Sequence, residues 1–335
     1  MHFRVMTWNV ENLFPVGTRL SALGPPISRA HCSAKLKFLS THINEQAPDV
    51  VALQEIGGAG ADDESMLIAL QHAVGTYPHR ACGVPDERGI RVAFLSRWPL
   101  QDITHIVDFP SGLLSSVTQH PGQVPISRLM RGALSVQVTP PGSAPIRIIT
   151  THLKSKLLSY PGGRYSPLHE LERAAAEHLA LAQRTAEVMT LREHIHRLIA
   201  EGTSRVIVLG DLNDGPHATT SQLLLGPPDS DTNSSGLGDE ARLFNLTDAA
   251  PLQRGSKHTL LPEGERFSRR DESKREMLDQ ILVSRDLVWK EGDCAVVRVR
   301  SLVHLLESEN IRSASGERVG QEAPDHAPVW ADFRL

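Results

Sequence analysis

The polar residues best placed for chemistry follow an apolar run near the middle of the chain. Residues 206–209 are Val-Ile-Val-Leu, and Gly210, Asp211, Leu212 and Asn213 come directly after them. Such a run predicts a strand buried on both faces, and the glycine marks its end. Asp211 and Asn213 are two residues apart, so their side chains point the same way. Although both types also form ordinary turns, a carboxylate beside a carboxamide can orient a water, hold a hard cation or contact a phosphate.

The same arrangement, polar side chains at the end of an apolar run, recurs along the chain. The set consists of carboxylates, carboxamides and two histidines: Asn9, Glu55, His152, Asp211, Asn213, Asp279, Asp325 and His326. Oxygen ligands without thiolates favour Mg²⁺ or Mn²⁺ over zinc. Two histidines with acidic neighbours suit proton transfer to and from a water and a leaving oxygen. Phosphodiester hydrolysis needs these parts, namely a cation on the phosphate, an activated water and an acid for the leaving alkoxide.

No motif of another reaction class accompanies this set. The GxSxG, HExxH and P-loop sequences are absent, and the glycines at 57–60 lack the GxGxxG spacing of a dinucleotide site. The three cysteines, Cys32, Cys82 and Cys294, are scattered and indicate neither a disulfide framework nor a zinc site. With a net charge of −4, the chain must hold any polyanion locally, through a few basic residues or metal ions.

Strands and helices alternate along the chain and would position these groups. The helices are predicted at 29–46, 66–74 and 168–200, and the strands at 1–8, 49–53, 91–95, 101–107, 132–138, 146–151, 206–209, 277–284, 295–302 and 329–333. We expect 91–95 to pair with 101–107, 132–138 to form a hairpin with 146–151, and 216–239 to be a loop. His194 and His196, two apart on the longest helix, face different directions and are expected to be solvated.

Composition predicts one domain covering residues 1–335, since no linker or shift in residue usage divides the chain. Strands outnumber helices, which favours two packed sheets with helices outside. No signal peptide and no apolar run of about 18 residues is visible, so we expect a cytoplasmic protein with no membrane contact. No obligate protein partner is indicated.

Six segments in order resemble the endonuclease/exonuclease/phosphatase superfamily, which includes pancreatic deoxyribonuclease, and bacterial nucleases of that superfamily in particular. They are TWNVEN (7–12), LQE (53–55), TTHLKS (150–155), VLGDLND (208–214), LDQILVS (278–284) and PDHAPV (324–329). The resemblance spans almost the whole chain. It implies an α/β fold, a four-layer α/β/β/α sandwich of two mainly antiparallel sheets packed face to face, with the site at one end of the sheets.

The resemblance also implies metal and phosphate ligands. Glu55 would be the chief ligand of Mg²⁺ or Mn²⁺, helped by Asn9 and by Asp325 or Asp279. Asp211 and Asn213 would orient the water or a second metal, and Asn213 would also contact phosphate. Arg131 matches, more loosely, a phosphate-binding arginine of the deoxyribonuclease branch.

Two catalytic histidines are implied, His326 and His152, and we expect His152 to be the acid for the leaving group and His326 the base. Deoxyribonucleases place a glutamate that pairs with a catalytic histidine where Ile90 stands here, so Asp279 could serve either histidine. Gln280 is a second departure, because many relatives have an aromatic residue or an arginine there.

The sequence thus predicts a divalent-metal-dependent phosphodiesterase acting on nucleic acid, with DNA preferred over RNA. A lipid or inositol phosphate hydrolase of the same superfamily and an inactive binding protein are the alternatives. An aromatic content of 4% and the absence of a tryptophan-cysteine-arginine signature around Asp279 count against the lipid and inositol readings. Endo- or exo-cleavage and the number of metals stay open.

Overall fold

The computed structural model of the chain describes residues 1–20, 24–60, 62–117, 124–164, 166–226, 241–248, 260–271, 274–290, 293–307 and 322–335. The strands are β1 (His2–Leu13), β2 (Val50–Ile56), β3 (His79–Cys82), β4 (Arg91–Ser96), β5 (Gln101–Asp108), β6 (Arg128–Val138), β7 (Ile146–His152), β8 (Val206–Asp211), β9 (Leu243–Asn245), β10 (Arg269–Asp271), β11 (Lys274–Glu276), β12 (Asp279–Ser284), β13 (Trp289–Lys290), β14 (Asp293–Cys294), β15 (Val296–Ser301) and β16 (Val329–Arg334). The helices are α1 (Arg29–Gln46), α2 (Ser65–Val74), α3 (Glu170–Ala200), α4 (Thr219–Leu225) and α5 (Arg285–Val288).

Two six-stranded sheets form the frame of the described residues. Sheet one has the strand order β15-β16-β1-β2-β4-β3, and sheet two has the order β5-β6-β7-β8-β12-β9. In each sheet the two central strands are parallel, β1 with β2 and β7 with β8, and every other pair is antiparallel. The prediction of two mainly antiparallel sheets is confirmed.

Three buried cores confirm the predicted four layers. The inner core joins the facing sides of the two sheets and includes Val5 of β1 and Leu209 of β8. A second core packs sheet one against α1 and α2, and a third packs sheet two against α3 and α4. Side chains on each central strand alternate between the inner core and an outer core, as expected of strands covered on both faces.

A buried chain of hydrogen bonds crosses from sheet one to sheet two near the end of the central strands. The Thr7 hydroxyl donates to Gln54 Oε1 at 3.2 Å, and Gln54 Nε2 donates to the Thr150 hydroxyl at 3.0 Å. All three side chains are inaccessible to solvent. Because buried polar groups need partners, these hydrogen bonds favour one alignment of the two sheets.

Several elements differ from the sequence prediction. The expected pairing of β4 with β5 is wrong, because β4 pairs with β2 and β3 in sheet one while β5 pairs with β6 in sheet two. The predicted loop 216–239 contains α4, and its remainder from 227 lies outside the described residues. His194 is 8% exposed, so the expectation that it is solvated is also wrong, whereas His196 is exposed. None of the described helices is long and apolar enough to cross a membrane.

Candidate active site

The inner faces of both sheets end in polar residues at the same edge of the sandwich. In β1 the inner row of Phe3, Val5 and Thr7 continues with the next residue of the row, which is polar. The same alternation holds in three strands of sheet two. The residues that end these rows are Asn9 of β1, His152 of β7, Asp211 of β8 and Asp279 of β12. Strand periodicity alone therefore brings four of the predicted site residues together.

The carboxylate of Asp211 lies at the centre of this group. Its Oδ2 accepts a hydrogen bond from Asn9 Nδ2 at 3.0 Å and lies 3.4 Å from His152 Nε2. The Nε2 atom of His326 is 3.9 Å from the same oxygen. The backbone N–H of Asn213 donates to the other oxygen, Oδ1, at 2.9 Å. His152 ends β7, and His326 lies shortly before β16. Both histidines thus direct Nε2 towards one carboxylate.

Gly210 permits the close approach of β7 and β8 directly beneath Asp211. Its φ is +149°, and a Cβ atom there would lie 2.0 Å from the carbonyl oxygen of Thr151. No other residue type fits such a contact without displacing a strand.

Glu55 reaches the site by a backbone irregularity. Alternation along β2 places Ala52 and Gln54 on the inner face, so Glu55 would face the helices of sheet one. Instead, its φ is +65° and the register of β2 shifts between Leu53 and Ile56. Its carboxylate accepts hydrogen bonds from Asn9 Nδ2 at 3.3 Å and from the Asn12 backbone N–H at 2.9 Å. It lies 3.9 Å from His152 Nε2.

Left-handed backbone is concentrated at this edge. Of the non-glycine residues with positive φ among those described, Glu11, Asn12, Glu55 and Asn213 lie at the ends of β1, β2 and β8, with φ of 47°, 53°, 65° and 52°. Each such residue costs on the order of 1–3 kcal/mol and persists only where the surroundings enforce it. Such strain is typical of functional sites.

Asp279 pairs with His326, which decides between the two histidines left open by the sequence. Its Oδ2 lies 2.6 Å from His326 Nδ1, a hydrogen-bond distance, while its Oδ1 is buried without a hydrogen-bond partner among the described residues. A Trp8 Nε1 bond to the His326 carbonyl at 2.9 Å holds the backbone of the histidine. His326 is thereby oriented from both ends.

The surrounding carboxylates favour the charged form of His326. Burial opposes that charge, but Asp279, Asp211 and Asp325 outweigh it and raise the pKa of His326 to about 10. For Asp211, burial raises the pKa to about 6, and Asp279 adds to this while His326 opposes it. A histidine that keeps its proton and a carboxylate that titrates near neutrality therefore lie side by side.

His152 has the opposite environment. Burial first, and then the charges of Arg131, His326 and Arg88, hold the pKa of His152 well below its usual range. Its Nδ1 is buried and has no hydrogen-bond partner in the described chain. This agrees with Ile90 in place of the glutamate of the deoxyribonucleases. His152 is therefore neutral at pH 7, which runs against its expected role as the acid.

The remaining predicted residues lie at the periphery of the group. Asp325 Oδ2 is 3.4 Å from Arg269 Nε, and Asp325 Oδ1 is 3.9 Å from His326 Nε2. Arg131 is buried and forms an ion pair with Asp86 at 3.5 Å. Asn213 Nδ2 donates to the Leu153 carbonyl at 2.9 Å, which joins the end of β8 to the segment after β7.

The donor set fits a hard divalent cation. Asp211, Asp279 and His326 offer ligand atoms that all lie within 4.8 Å of one another. Asp279 Oδ2 and His326 Nδ1 are 2.6 Å apart, a hydrogen-bond distance, so these two atoms bind each other and not an ion. The Glu55 carboxylate, with 17% of its side chain exposed, is more open to an ion, and the buried Asn9 amide lies beside it, with Nδ2 3.3 Å from Glu55 Oε1. All the side chains are oxygen or imidazole ligands.

A comparison with known families agrees with this geometry. The model of the Endonuclease/Exonuclease/phosphatase family matches residues 6–293. The chain belongs to this family. Membership indicates a hydrolase of the phosphoesterase type, and no curated protein matches the chain.

Solved structures show the same fold at low identity. The 3'-5' exonuclease (NExo) from Neisseria meningitidis matches with a TM-score of 0.54 and 15% identity, over 99% of this chain and 100% of that one. D. rerio TDP2 complexed with single strand DNA product matches with a TM-score of 0.52 and 16% identity, over 100% and 99%. A functionally unknown conserved protein from Enterococcus faecalis matches with a TM-score of 0.55 and 17% identity, over 98% of each chain.

Family motifs did not lead us to the buried residues that support this site. On α3, Arg184 and Glu187 are 6% and 1% exposed and bond to the backbone around His152. Gln280, noted above as a departure from the family pattern, donates to the Asp214 carbonyl at 2.6 Å and accepts from Asn245 at 2.7 Å. The available signal was their position, since Arg184 and Glu187 lie on the same helical stripe as the apolar residues that follow.

Proposed function

We propose that this member of the Endonuclease/Exonuclease/phosphatase family is a divalent-metal-dependent phosphodiesterase that hydrolyses nucleic acid, DNA in preference to RNA. The observation that carries the proposal is the convergence of two imidazole Nε2 atoms on Asp211 Oδ2, at 3.4 and 3.9 Å, beside the Glu55 carboxylate. Acid, base and ligand are then within reach of one phosphate-sized space.

The charge of the site supports the need for a cation. Asp211, Asp279 and Asp325 lie around one imidazolium, His326, and the Glu55 carboxylate lies beside His152. These carboxylates would repel an anionic phosphodiester. Glu55 and Asn9, helped by Asp325, would hold Mg²⁺ or Mn²⁺ here. Such an ion supplies Lewis-acid polarisation of the phosphoryl oxygen and neutralises developing charge.

The pKa shifts of Asp211 and His326 support one division of the proton transfers. Asp211, whose pKa is raised to about 6, takes the proton of the attacking water. His326, whose pKa is raised to about 10, gives its proton to the leaving oxygen. His152 stays neutral and donates an Nε2 hydrogen bond to a phosphoryl oxygen, alongside Arg131 and Asn213. In this division His326 has the acid role that we expected for His152, and Asp211 has the base role that we expected for His326.

The substrate class rests on the family and on two similar structures. One is named a 3'-5' exonuclease, and the other is a complex with single strand DNA product. Both involve nucleic acid, which favours nucleic acid over a lipid or inositol phosphate for this chain.

One assay tests the whole proposal. Purified full-length protein is incubated with plasmid, linear DNA, RNA, bis-nitrophenyl phosphate and phospholipid vesicles, with Mg²⁺, Mn²⁺ or EDTA. We expect DNA hydrolysis that EDTA abolishes and either metal restores. Full activity in EDTA would contradict the metal requirement, and turnover of phospholipid alone would favour the lipid hydrolase. No turnover of any substrate would favour a binding protein.

A further inference from the structure

Two charged side chains of α3 lie on its buried face. Arg184 and Glu187 are 6% and 1% exposed, and they continue the stripe that Leu191, Ile195 and Leu198 form against sheet two. Burying charged groups is costly unless they are well bonded, and an apolar residue would pack the helix as well. The presence of two charged side chains on this buried face points to a role other than packing.

The Glu187 carboxylate accepts hydrogen bonds from two backbone segments, one next to His152 and one next to Arg131. Its Oε2 accepts from the Lys154 backbone N–H at 2.6 Å, two residues after His152. Its Oε1 accepts from the Met130 backbone N–H at 3.4 Å, directly before Arg131, and from Gln183 Nε2 at 3.1 Å. One side chain thus joins the segments that carry His152 and Arg131.

Arg184, one turn earlier on the same stripe, completes the arrangement. Its Nη1 donates to the Lys154 carbonyl at 3.0 Å, so the backbone of Lys154 is held at both its N–H and its C=O. Its Nε lies 3.1 Å from Asp214 Oδ2, and Asp214 follows Asn213. Thr220 donates to the same oxygen at 2.6 Å.

We infer that Glu187 and Arg184 are positioning residues, which set the placement of His152, Arg131 and Asn213 relative to the substrate phosphate. The inference rests on the proposed phosphodiesterase function. His152 depends on this support in particular, because its Nδ1 has no hydrogen-bond partner among the described residues to orient the ring. Placement errors of about 1 Å can cost about 10²-fold in rate.

The first test is Glu187→Gln, with Glu193→Gln as the matched control. Glutamine keeps the shape but presents an N–H₂ group to one of the two backbone N–H groups, which loses its acceptor. We expect kcat on DNA to fall about 10- to 100-fold with KM within about threefold. Glu193 makes the same chemical change on the same helix, where it pairs with Arg197 at 2.8 Å, and should leave kcat unchanged. A kcat of Glu187→Gln within about twofold of wild type would overturn the inference.

A double-mutant cycle separates positioning from a general loss of stability. If Glu187 acts through His152, Glu187→Gln should cost less than about threefold in kcat in a His152→Ala background. Because Glu187 also supports the segment of Arg131, the cycle is repeated with Arg131→Ala, and equal costs in the wild-type, His152→Ala and Arg131→Ala backgrounds would overturn the inference. Should Glu187→Gln fail to fold, Gln183→Met removes one donor to Glu187 and should lower kcat by a smaller factor with KM unchanged. An unchanged kcat in that variant would then count against positioning.

The failure of this inference differs from a failure of the proposed function. If His326→Ala abolishes hydrolysis while Glu187→Gln does not affect it, the function stands and the positioning role is wrong. If the wild-type protein hydrolyses none of the phosphodiesters, the function itself is wrong and the positioning role is wrong with it.

Discussion

The two sheets contribute to the site in the same place but by different means. Each has a central parallel pair whose ends carry site residues, Asn9 and Glu55 in sheet one and His152 and Asp211 in sheet two. In sheet one, Glu55 is turned inward by a positive φ of 65° and held by the backbone N–H of Asn12. In sheet two, β7 and β8 pair in parallel without a register shift up to His152 and Asp211.

Support for the sheet-two residues comes instead from charged side chains of a helix. Glu187 and Arg184 of α3 bond to the backbone of Lys154, beyond the end of β7. In the proposed mechanism, sheet one therefore presents oxygen ligands through an irregular backbone, and sheet two presents groups for phosphate and water that are supported by buried charges. Metal binding and proton transfer should therefore respond separately to changes on the sheet-one side and on the sheet-two side.

The largest expected effect is at Glu55, on the sheet-one side. Glu55→Ala removes the oxygen ligand that we propose to be the chief one, and loss of a metal's Lewis-acid contribution of several kcal/mol corresponds to roughly 10⁴-fold in rate. We expect the Mg²⁺ concentration for half-maximal activity to rise as well, measured by metal titration. Glu64→Ala, an exposed carboxylate of the same half, is the control. An unchanged metal titration in Glu55→Ala would break the division between the halves.

His326→Ala is expected to lower kcat by about 10²- to 10⁴-fold on DNA, as for a general acid. If its proton goes to the leaving oxygen, as proposed, the loss should be much smaller on bis-nitrophenyl phosphate, whose leaving group needs no proton. The ratio of variant to wild-type rates on the two substrates is the measurement. Equal ratios would remove His326 from the acid role.

His152→Ala tests the opposite assignment on the sheet-two side. A neutral His152 that donates one hydrogen bond to a charged phosphate should be worth about 10- to 10²-fold in rate. Both substrates should then lose activity alike. Selective rescue on bis-nitrophenyl phosphate would restore His152 as the acid and contradict the low pKa given to it by burial and by Arg131.

The smallest expected effect concerns stability in acid, and it tests the helix layer that covers sheet two. Burial first, then Arg197 and Arg147, lower the pKa of His194 on α3 to about 4. The unfolded chain takes up this proton from about pH 6.5 downwards while the folded protein does not, so stability falls between pH 6.5 and 4. His194→Gln should lose less Tm than wild type when the pH is lowered from 7 to 4.5, with His196→Gln as control. Parallel Tm curves for all three would contradict the assignment.

Sequence reasoning could group most residues of the candidate site because their positions follow strand periodicity. Asn9, His152, Asp211 and Asp279 end inner rows, and any correct strand assignment brings such residues to one edge. Helix α1 was likewise predicted at its observed bounds. Glu55 is the exception in this group: its place after an apolar run marked it as a candidate, but its direction depends on a left-handed φ that alternation does not predict.

What the sequence could not show depends on contacts between distant segments. The wrong pairing of β4 with β5 assumed that neighbours in sequence share a sheet, whereas β4 is buried along its whole length and β5 is largely exposed. Glu187 is an acceptor for backbone groups at positions 130 and 154, and nothing local to α3 indicates those partners. Charged residues on a helix are ordinarily solvated, so burial had to be observed.

The hydrogen-bonded chain of Thr7, Gln54 and Thr150 has a mechanical consequence. Apolar side chains between two sheets attract without direction, so they resist separation of the layers more than sliding of one layer over the other. The bond from Gln54 to Thr150, at 3.0 Å, joins the two sheets and is directional, so it opposes sliding, while the bond from Thr7 at 3.2 Å holds the Gln54 amide in place within sheet one. A slip of one sheet over the other by one residue, about 3.3 Å, would break the bond between Gln54 and Thr150 and move Glu55 relative to His152 by a comparable distance. The bond between Gln54 and Thr150 lies next to the site, where a displacement of the sheets would separate the site residues.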